Sequence, residues 1–127
     1  MARSLHLAAA MASIGSRPPR RVLVVDDDDL VRATTTAALE RHGFDVVGVS
    51  SGADALAYLA RDTPALMLLD LNMDDMTGWE VISLVQHDSR LRDMRTIVVT
   101  GQHANVPRRF GYMRKPFRVD ALLEMLR

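Results

Sequence analysis

The chain has 127 residues, no cysteine, 48% hydrophobic residues, 5 Pro and 7 Gly, the composition of a globular protein that can bury a core without disulfides. Fifteen Arg and one Lys balance 13 Asp and 3 Glu to a formal charge of zero. That removes the long-range field of a dedicated nucleic-acid binder, and the missing thiols exclude cysteine catalysis and cysteine-based metal sites. No apolar run approaches the roughly 18 residues of a membrane span, so neither nucleic acid nor membrane is expected as a direct partner.

Residues 1–20 form a small-residue stretch ending in Ser16, Arg17, Pro18, Pro19 and Arg20, read as a flexible N-terminal extension ahead of one domain, 21–127. Arg3 before an apolar patch and the A-x-A of Ala10-Met11-Ala12 offer a secretory reading, but the patch from Leu5 to Ala12 is short, weakly apolar and interrupted by His6, so a cleaved signal is not expected. From Arg21 onward, β-branched runs alternate with segments of helical period, the order that predicts an α/β fold with a doubly wound, five-stranded parallel sheet. The first strand, Val22 to Val25, is continuously apolar, as a strand covered on both faces requires. Leu30, Ala33 and Ala37, with Val31 and Ala38 beside them, predict the buried stripe of a helix ending at Gly43. Phe44 to Val49 is the second strand. Ser51-Gly52 opens a helix whose predicted stripe is Ala53, Leu56, Ala57 and Ala60, and Pro64 turns the chain into the third strand, Ala65 to Leu69. Gly78, Val81, Ile82 and Val85 form another stripe; Thr96 to Val99 and Phe110 to Met113 are the last two strands; Val119, Leu122, Leu123 and Leu126 predict a final helix.

In an open parallel sheet, ligands bind beyond the carboxyl ends of the strands. Strand one ends in Asp26, Asp27, Asp28 and Asp29, strand three in Asp70 and strand four in Thr100, while strand five is followed by Lys115-Pro116. Right-handed crossovers return these ends to one edge, so Asp26, Asp27, Asp70, Thr100 and Lys115 are expected to share a pocket. Clustered carboxylates repel one another, and a hard divalent cation relieves that repulsion. Asp27 and Asp70, with a backbone carbonyl near Asn72, form a candidate Mg²⁺ site. The lone lysine points to a need for a compact ammonium that the planar fork of arginine does not meet. Such a pocket suits phosphoryl transfer to a carboxylate. Asp70, alone on its strand, is the candidate nucleophile; adjacent Asp26 and Asp27 are better suited to holding the ion.

Val24-Val25-Asp26-Asp27, Leu68-Leu69-Asp70-Leu71-Asn72-Met73 with Gly78 eight residues after Asp70, Val98-Val99-Thr100-Gly101 and Lys115-Pro116-Phe117 occur in order. Together, over residues 21–127, they resemble the receiver domain of two-component response regulators. The resemblance implies a flavodoxin-like receiver fold and a cytoplasmic phosphoacceptor domain in phosphorelay signal transduction. It further implies that Asp70 takes phosphate from a histidine kinase and that Asp26, Asp27, Asp70 and the Asn72 carbonyl organise Mg²⁺. Thr100 and Lys115 become the switch pair, Tyr112 an aromatic switch, and Lys115-Pro116 a cis bond. A downstream phosphotransfer or output protein follows as a second partner.

Two features depart from that pattern. The proline usual after Met73 is replaced by Asp74, followed by Asp75, and both are expected to be solvated loop charges. Only fourteen residues separate Thr100 from Lys115, and a strand from Phe110 leaves about nine for the crossover. The fourth helix is therefore shortened or missing, with at most one turn around His103 to Val106. The Thr-Gly after strand four and the Pro-x-x-Phe before strand five are similar to a receiver subgroup associated with kinases of the HWE type.

Other positions carry plainer readings. Asp28 and Asp29 are helix caps. His6, His42, His87 and His103 lack metal-ligand spacing, and Trp79 is expected to pack. From Arg90 onward nine positive residues face three negative ones, either a solvated surface or a dock for an acidic partner. Two alternative functions remain at this level: a pseudo-receiver that binds partners without carrying phosphate, and a haloacid-dehalogenase-type Mg²⁺ phosphatase in which Asp27-x-Asp29-x-Val31 supplies Asp27 as nucleophile.

Overall fold

The structure is a computed structural model and describes residues 20–75, 77–101 and 105–125. The N-terminal extension up to residue 19, Leu126 and residues 102–104 of the expected helical turn lie outside the described residues. β1 (Arg21–Val25), β2 (Asp45–Val49), β3 (Leu66–Asp70), β4 (Arg95–Thr100) and β5 (Gly111–Arg114) form one five-stranded sheet in the order 2-1-3-4-5. All four neighbouring pairs are parallel. The helices are α1 (Asp29–Arg41), α2 (Gly52–Leu59), α3 (Gly78–Gln86) and, after β5, α4 (Val119–Met125), with a 3-10 turn at Ser89–Leu91. Among the described residues no helix lies between β4 and β5.

Alternate residues of each inner strand enter different cores, which is why these runs are apolar without interruption. Leu23, Val25, Met67, Leu69 and Val98 pack with Ala55, Tyr58 and Leu59 of α2 and Val81, Ile82 and Val85 of α3. Val22, Val24, Leu66, Leu68, Ile97 and Val99 pack on the other face with Leu39 of α1 and Leu122 of α4. Phe110 and the partly buried Val106 of the short crossover pack into the first core.

The expected stripe of α3 is buried as read, but two helix faces differ. In α1 the buried residues are Thr35, Ala38 and Leu39, while Leu30 is 72% exposed. Small residues surround this helix, so its period is weak, and docking of the one large interior side chain, Leu39, sets its rotation. α2 is turned likewise: Gly52, Ala55, Tyr58 and Leu59 are buried in place of Ala53, Ala57 and Ala60, because Tyr58 and Leu59 remove more surface from water than alanines do. Leu56 is only partly buried. Trp79, expected to pack, is 41% exposed.

The two α1 leucines report this rotation directly. Leu39→Ala is expected to cost about 2–5 kcal/mol in chemical denaturation and Leu30→Ala no more than about 0.5 kcal/mol; equal losses would contradict the observed face.

Candidate functional site

The chain runs from β1 outward to β2 and then crosses back to β3, so the sheet reverses its winding direction between β1 and β3. At such a switch point the loops leaving adjacent strands diverge to opposite faces and open a crevice. The β1–α1 loop delivers Asp26 and Asp27 to one side of it, and β3 delivers Asp70 to the other. One carboxylate oxygen from each of Asp26, Asp27 and Asp70 lies within 4.8 Å of the others.

The residues around these carboxylates fix their orientation. Asp26 Oδ1 accepts from the Asp28 amide at 2.9 Å and Oδ2 from Lys115 Nζ at 2.7 Å. Asp70 Oδ1 accepts from the Asn72 amide at 3.3 Å, which folds the next loop over the carboxylate, and Oδ2 lies 3.6 Å from Lys115 Nζ. Among the described residues, the Asp27 carboxylate has no hydrogen-bond donor and no cation. It is the least buried of the three. A small, partly open pocket is lined by Asp26 and Asp70 together with Thr35, Phe117 and apolar strand residues.

Burial dominates the electrostatics of Asp70 and raises its pKa above the ordinary carboxylate value; Asp26 and Asp27 push the same way, against Lys115 and the Asn72 amide. For Lys115, burial acts downward but is outweighed by the hydrogen bond to Asp26 and the charges of Asp70 and Asp26, so its pKa is raised. The ammonium is thus held charged where two buried carboxylates need it.

Thr100, fully buried at the end of β4, accepts the Lys115 amide on its carbonyl at 2.7 Å, which sets the direction in which Lys115 leaves β5. Lys115–Pro116 is cis, as the resemblance implies. Tyr112 stands one strand farther out, half-buried and in register with Val98. Asp28 caps α1 as expected, accepting from the Leu30 and Val31 amides. Asp29 instead begins the helix, 90% exposed, and pairs with Arg32 at 2.7 Å.

Four residues have roles at the site that the sequence did not reveal. Arg32 donates to the Asp26 carbonyl at 2.9 Å while holding Asp29, so it clamps the acidic loop. Thr35 lines the pocket. A Cβ on Gly78 would stand 2.5 Å from the Asp70 carbonyl and 2.6 Å from Leu71 Cα, so only glycine lets α3 start this close to β3. Asp75 is no free loop charge: its carboxylate accepts from the Gly52 and Ala53 amides. The proximity of Asp29 and Arg32 in one helix was the only local signal among them; the others meet partners distant in sequence.

Sheet order, acidic crevice and facing ammonium together fit a phosphoacceptor signalling module. The family model of the response regulator receiver domain matches residues 22–127, and the chain belongs to that family. It is 31% identical over 121 residues to the two-component response regulator ORR11 of Oryza sativa subsp. indica, spanning 94% of this chain and 81% of that protein. A sensor protein from Polaromonas sp. JS666 superposes with a TM-score of 0.78 at 32% identity, over 86% of this chain and 94% of that one. The response regulator TrrA of Thermotoga maritima, solved in complex with Mg²⁺-BeF, gives a TM-score of 0.75 at 26% identity over 84% of this chain and 96% of that one. Membership sets aside the phosphatase alternative, whose second acid, Asp29, points to solvent. The acidic triad is of the kind receivers use for Mg²⁺, and among the described residues no helix is long and apolar enough to cross a membrane.

The raised pKa of Asp70 has a consequence for stability. Between the unfolded carboxylate value, near 3.8, and the higher folded value, the folded state binds more protons, so stability falls as pH rises through that window. Asp70→Asn, which keeps the shape and removes the charge, is expected to melt higher than the wild type at pH 7. The difference should close below about pH 4, where the wild-type carboxyl is protonated in both states. A gap that widens in acid would contradict the shift.

Proposed function

We propose that Asp70 accepts a phosphoryl group from the phosphohistidine of a histidine kinase, within a receiver domain beginning near residue 21, working in the cytoplasm. The observation that carries this reading is the convergence of Asp26, Asp27 and Asp70 within 4.8 Å, with Lys115 2.7 Å from Asp26 and 3.6 Å from Asp70. An oxygen-only donor set of this size and charge fits a hard divalent cation and would suit neither a soft metal nor an anion. Asp26, Asp27, Asp70 and the Asn72 carbonyl would hold Mg²⁺, which supplies charge neutralisation for the phosphoryl oxygens.

The remaining work falls to the chain. An oxygen of Asp70 attacks phosphorus as the bond from phosphorus to the kinase imidazole breaks, and the imidazole nitrogen takes up a proton as it leaves. Lys115, already beside Asp70, offsets the charge of the incoming oxygens, and the Thr100 hydroxyl donates to one of them. Gly101, without a side chain, leaves that approach open. Tyr112, half-buried beside β4, is the candidate reporter of the change at Thr100. The structure of TrrA with Mg²⁺-BeF supports the cation assignment by likeness of fold. The interval of fourteen residues between Thr100 and Lys115, with Thr100-Gly101 after β4 and Pro107 and Phe110 before β5, supports an HWE-type kinase as donor. A phosphotransfer or output protein then reads the modified state.

Incubation with acetyl phosphate and Mg²⁺, followed by mass mapping with Asp70→Asn as control, tests this function. Phosphate on Asp70 of the wild type and none on the variant is the expected result. Modification of Asp27 would overturn the assignment, and no modification at all would leave a pseudo-receiver that only binds partners.

A further inference from the structure

Two loops carry the acidic cluster: β1–α1, with Asp26 and Asp27, and β3–α3, with Asn72 directly after Asp70 and Leu71. Both are fastened to the same third segment, the turn from β2 into α2. On one side the Asp26 amide donates to the Val49 carbonyl at 3.1 Å. On the other, Asp75 accepts from the Gly52 amide on Oδ1 and from the Ala53 amide on Oδ2, both at 3.2 Å and across 23 and 22 residues of sequence. A continuous brace therefore runs from Asp26 through the β2–α2 turn to Asp75 and back along a short loop to Asp70.

The first amides of a helix have no partner within it and sit at the positive end of its dipole, so a carboxylate is the group best suited to hold them. Yet α2 does not depend on Asp75 to begin. Ser51 is already its N-cap, its hydroxyl accepting from the Asp54 amide at 3.0 Å. The distant carboxylate instead orders the loop that carries it. That loop is pinned at its far end by the Gly78 amide, which donates to the Leu71 carbonyl at 2.8 Å. Between these two fastenings stands Asp74, in the place where the resemblance to receivers leads one to expect a proline, so the backbone there lacks the restriction that proline imposes.

We propose that Asp75 is a positioning residue for the divalent cation. By capping α2 it fixes the span between the loop of Asp26 and Asp27 and the loop of Asp70 and Asn72, and so replaces the rigidity of the absent proline. Both Asp75 oxygens are engaged by amides, so the residue acts through the loop and not as a ligand. The proposal rests on the reading of Asp26, Asp27, Asp70 and Asn72 as cation ligands.

Calorimetric titration of Mg²⁺ into the wild type, Asp75→Ala, Asp75→Asn and the double variant Asp74→Pro/Asp75→Ala tests it, with thermal melts run alongside. Asp75→Ala is expected to weaken Mg²⁺ binding about tenfold, the lower end of the losses seen when groups supporting metal ligands are removed. Asp75→Asn, which keeps one acceptor oxygen, should weaken it less and carries the test if the alanine variant does not fold. The double variant should recover most of the lost affinity although it has lost two negative charges, which separates loop order from simple charge attraction. Unchanged Mg²⁺ affinity with a lowered melting temperature would reduce Asp75 to a helix cap and overturn the proposal. So would a loss of affinity that proline fails to restore. A wild type that binds no Mg²⁺ would instead sink the cation-ligand reading, and the proposal with it.

Discussion

Burial of acidic side chains from two strand ends in one crevice, Asp26 and Asp70 with Asp27 beside them, is the constraint on which the rest of the structure turns. Two of these carboxylates are 95% buried, each at 5% exposure, where charge is least tolerated. The fold tolerates them because a single ammonium reaches both, on a backbone fastened by the Lys115 amide to the Thr100 carbonyl. Burial nevertheless raises the pKa of Asp70, and the exposed edge of the crevice carries the further carboxylate of Asp27. A site left short of positive charge in this way is suited to take up a divalent cation and the chemistry that goes with it.

Strand positions and strand-end chemistry were legible because both follow from local composition. A strand covered on both faces must be apolar throughout, so Val22 to Val25, Leu66 to Leu69 and Ile97 to Val99 announce themselves, and the polar residue that ends each run marks the crevice. The rotation of α1 and α2 was not legible. Alanine and threonine on every side of α1 leave no strong period, and in α2 bulk at Tyr58 and Leu59 decided against the alanine stripe. Asp75 and Gly78 were illegible for a different reason. Their roles depend on approaches between segments that only the folded chain creates.

The arginines resolve similarly into structural parts. Arg90 donates to the Leu59 carbonyl at the end of α2, and Arg95 to the Met125 carbonyl at the end of α4, at 2.6 Å. Both place a cation where helix carbonyls lack partners. Arg109 lies over the Phe110 ring at 5.1 Å and donates to the Arg92 carbonyl, which fastens the end of the short crossover. Three of the nine basic residues from Arg90 onward are thus engaged in holding helix ends and a loop. That division of labour agrees with the single lysine: planar guanidinium groups span carbonyls at the periphery, while the compact ammonium enters the crowded acidic crevice.

The central claim is that carboxylates from two β-strand ends meet around one hard cation. Substoichiometric Mn²⁺, a paramagnetic stand-in for Mg²⁺, tests it through the amide NMR spectrum of the wild-type protein. The resonances of Asp26, Asp27, Asp70 and Asn72 are expected to broaden first, and excess Mg²⁺ to restore them. Broadening centred on other acidic residues, such as Asp62 or Asp88, or broadening that Mg²⁺ does not reverse, would contradict it.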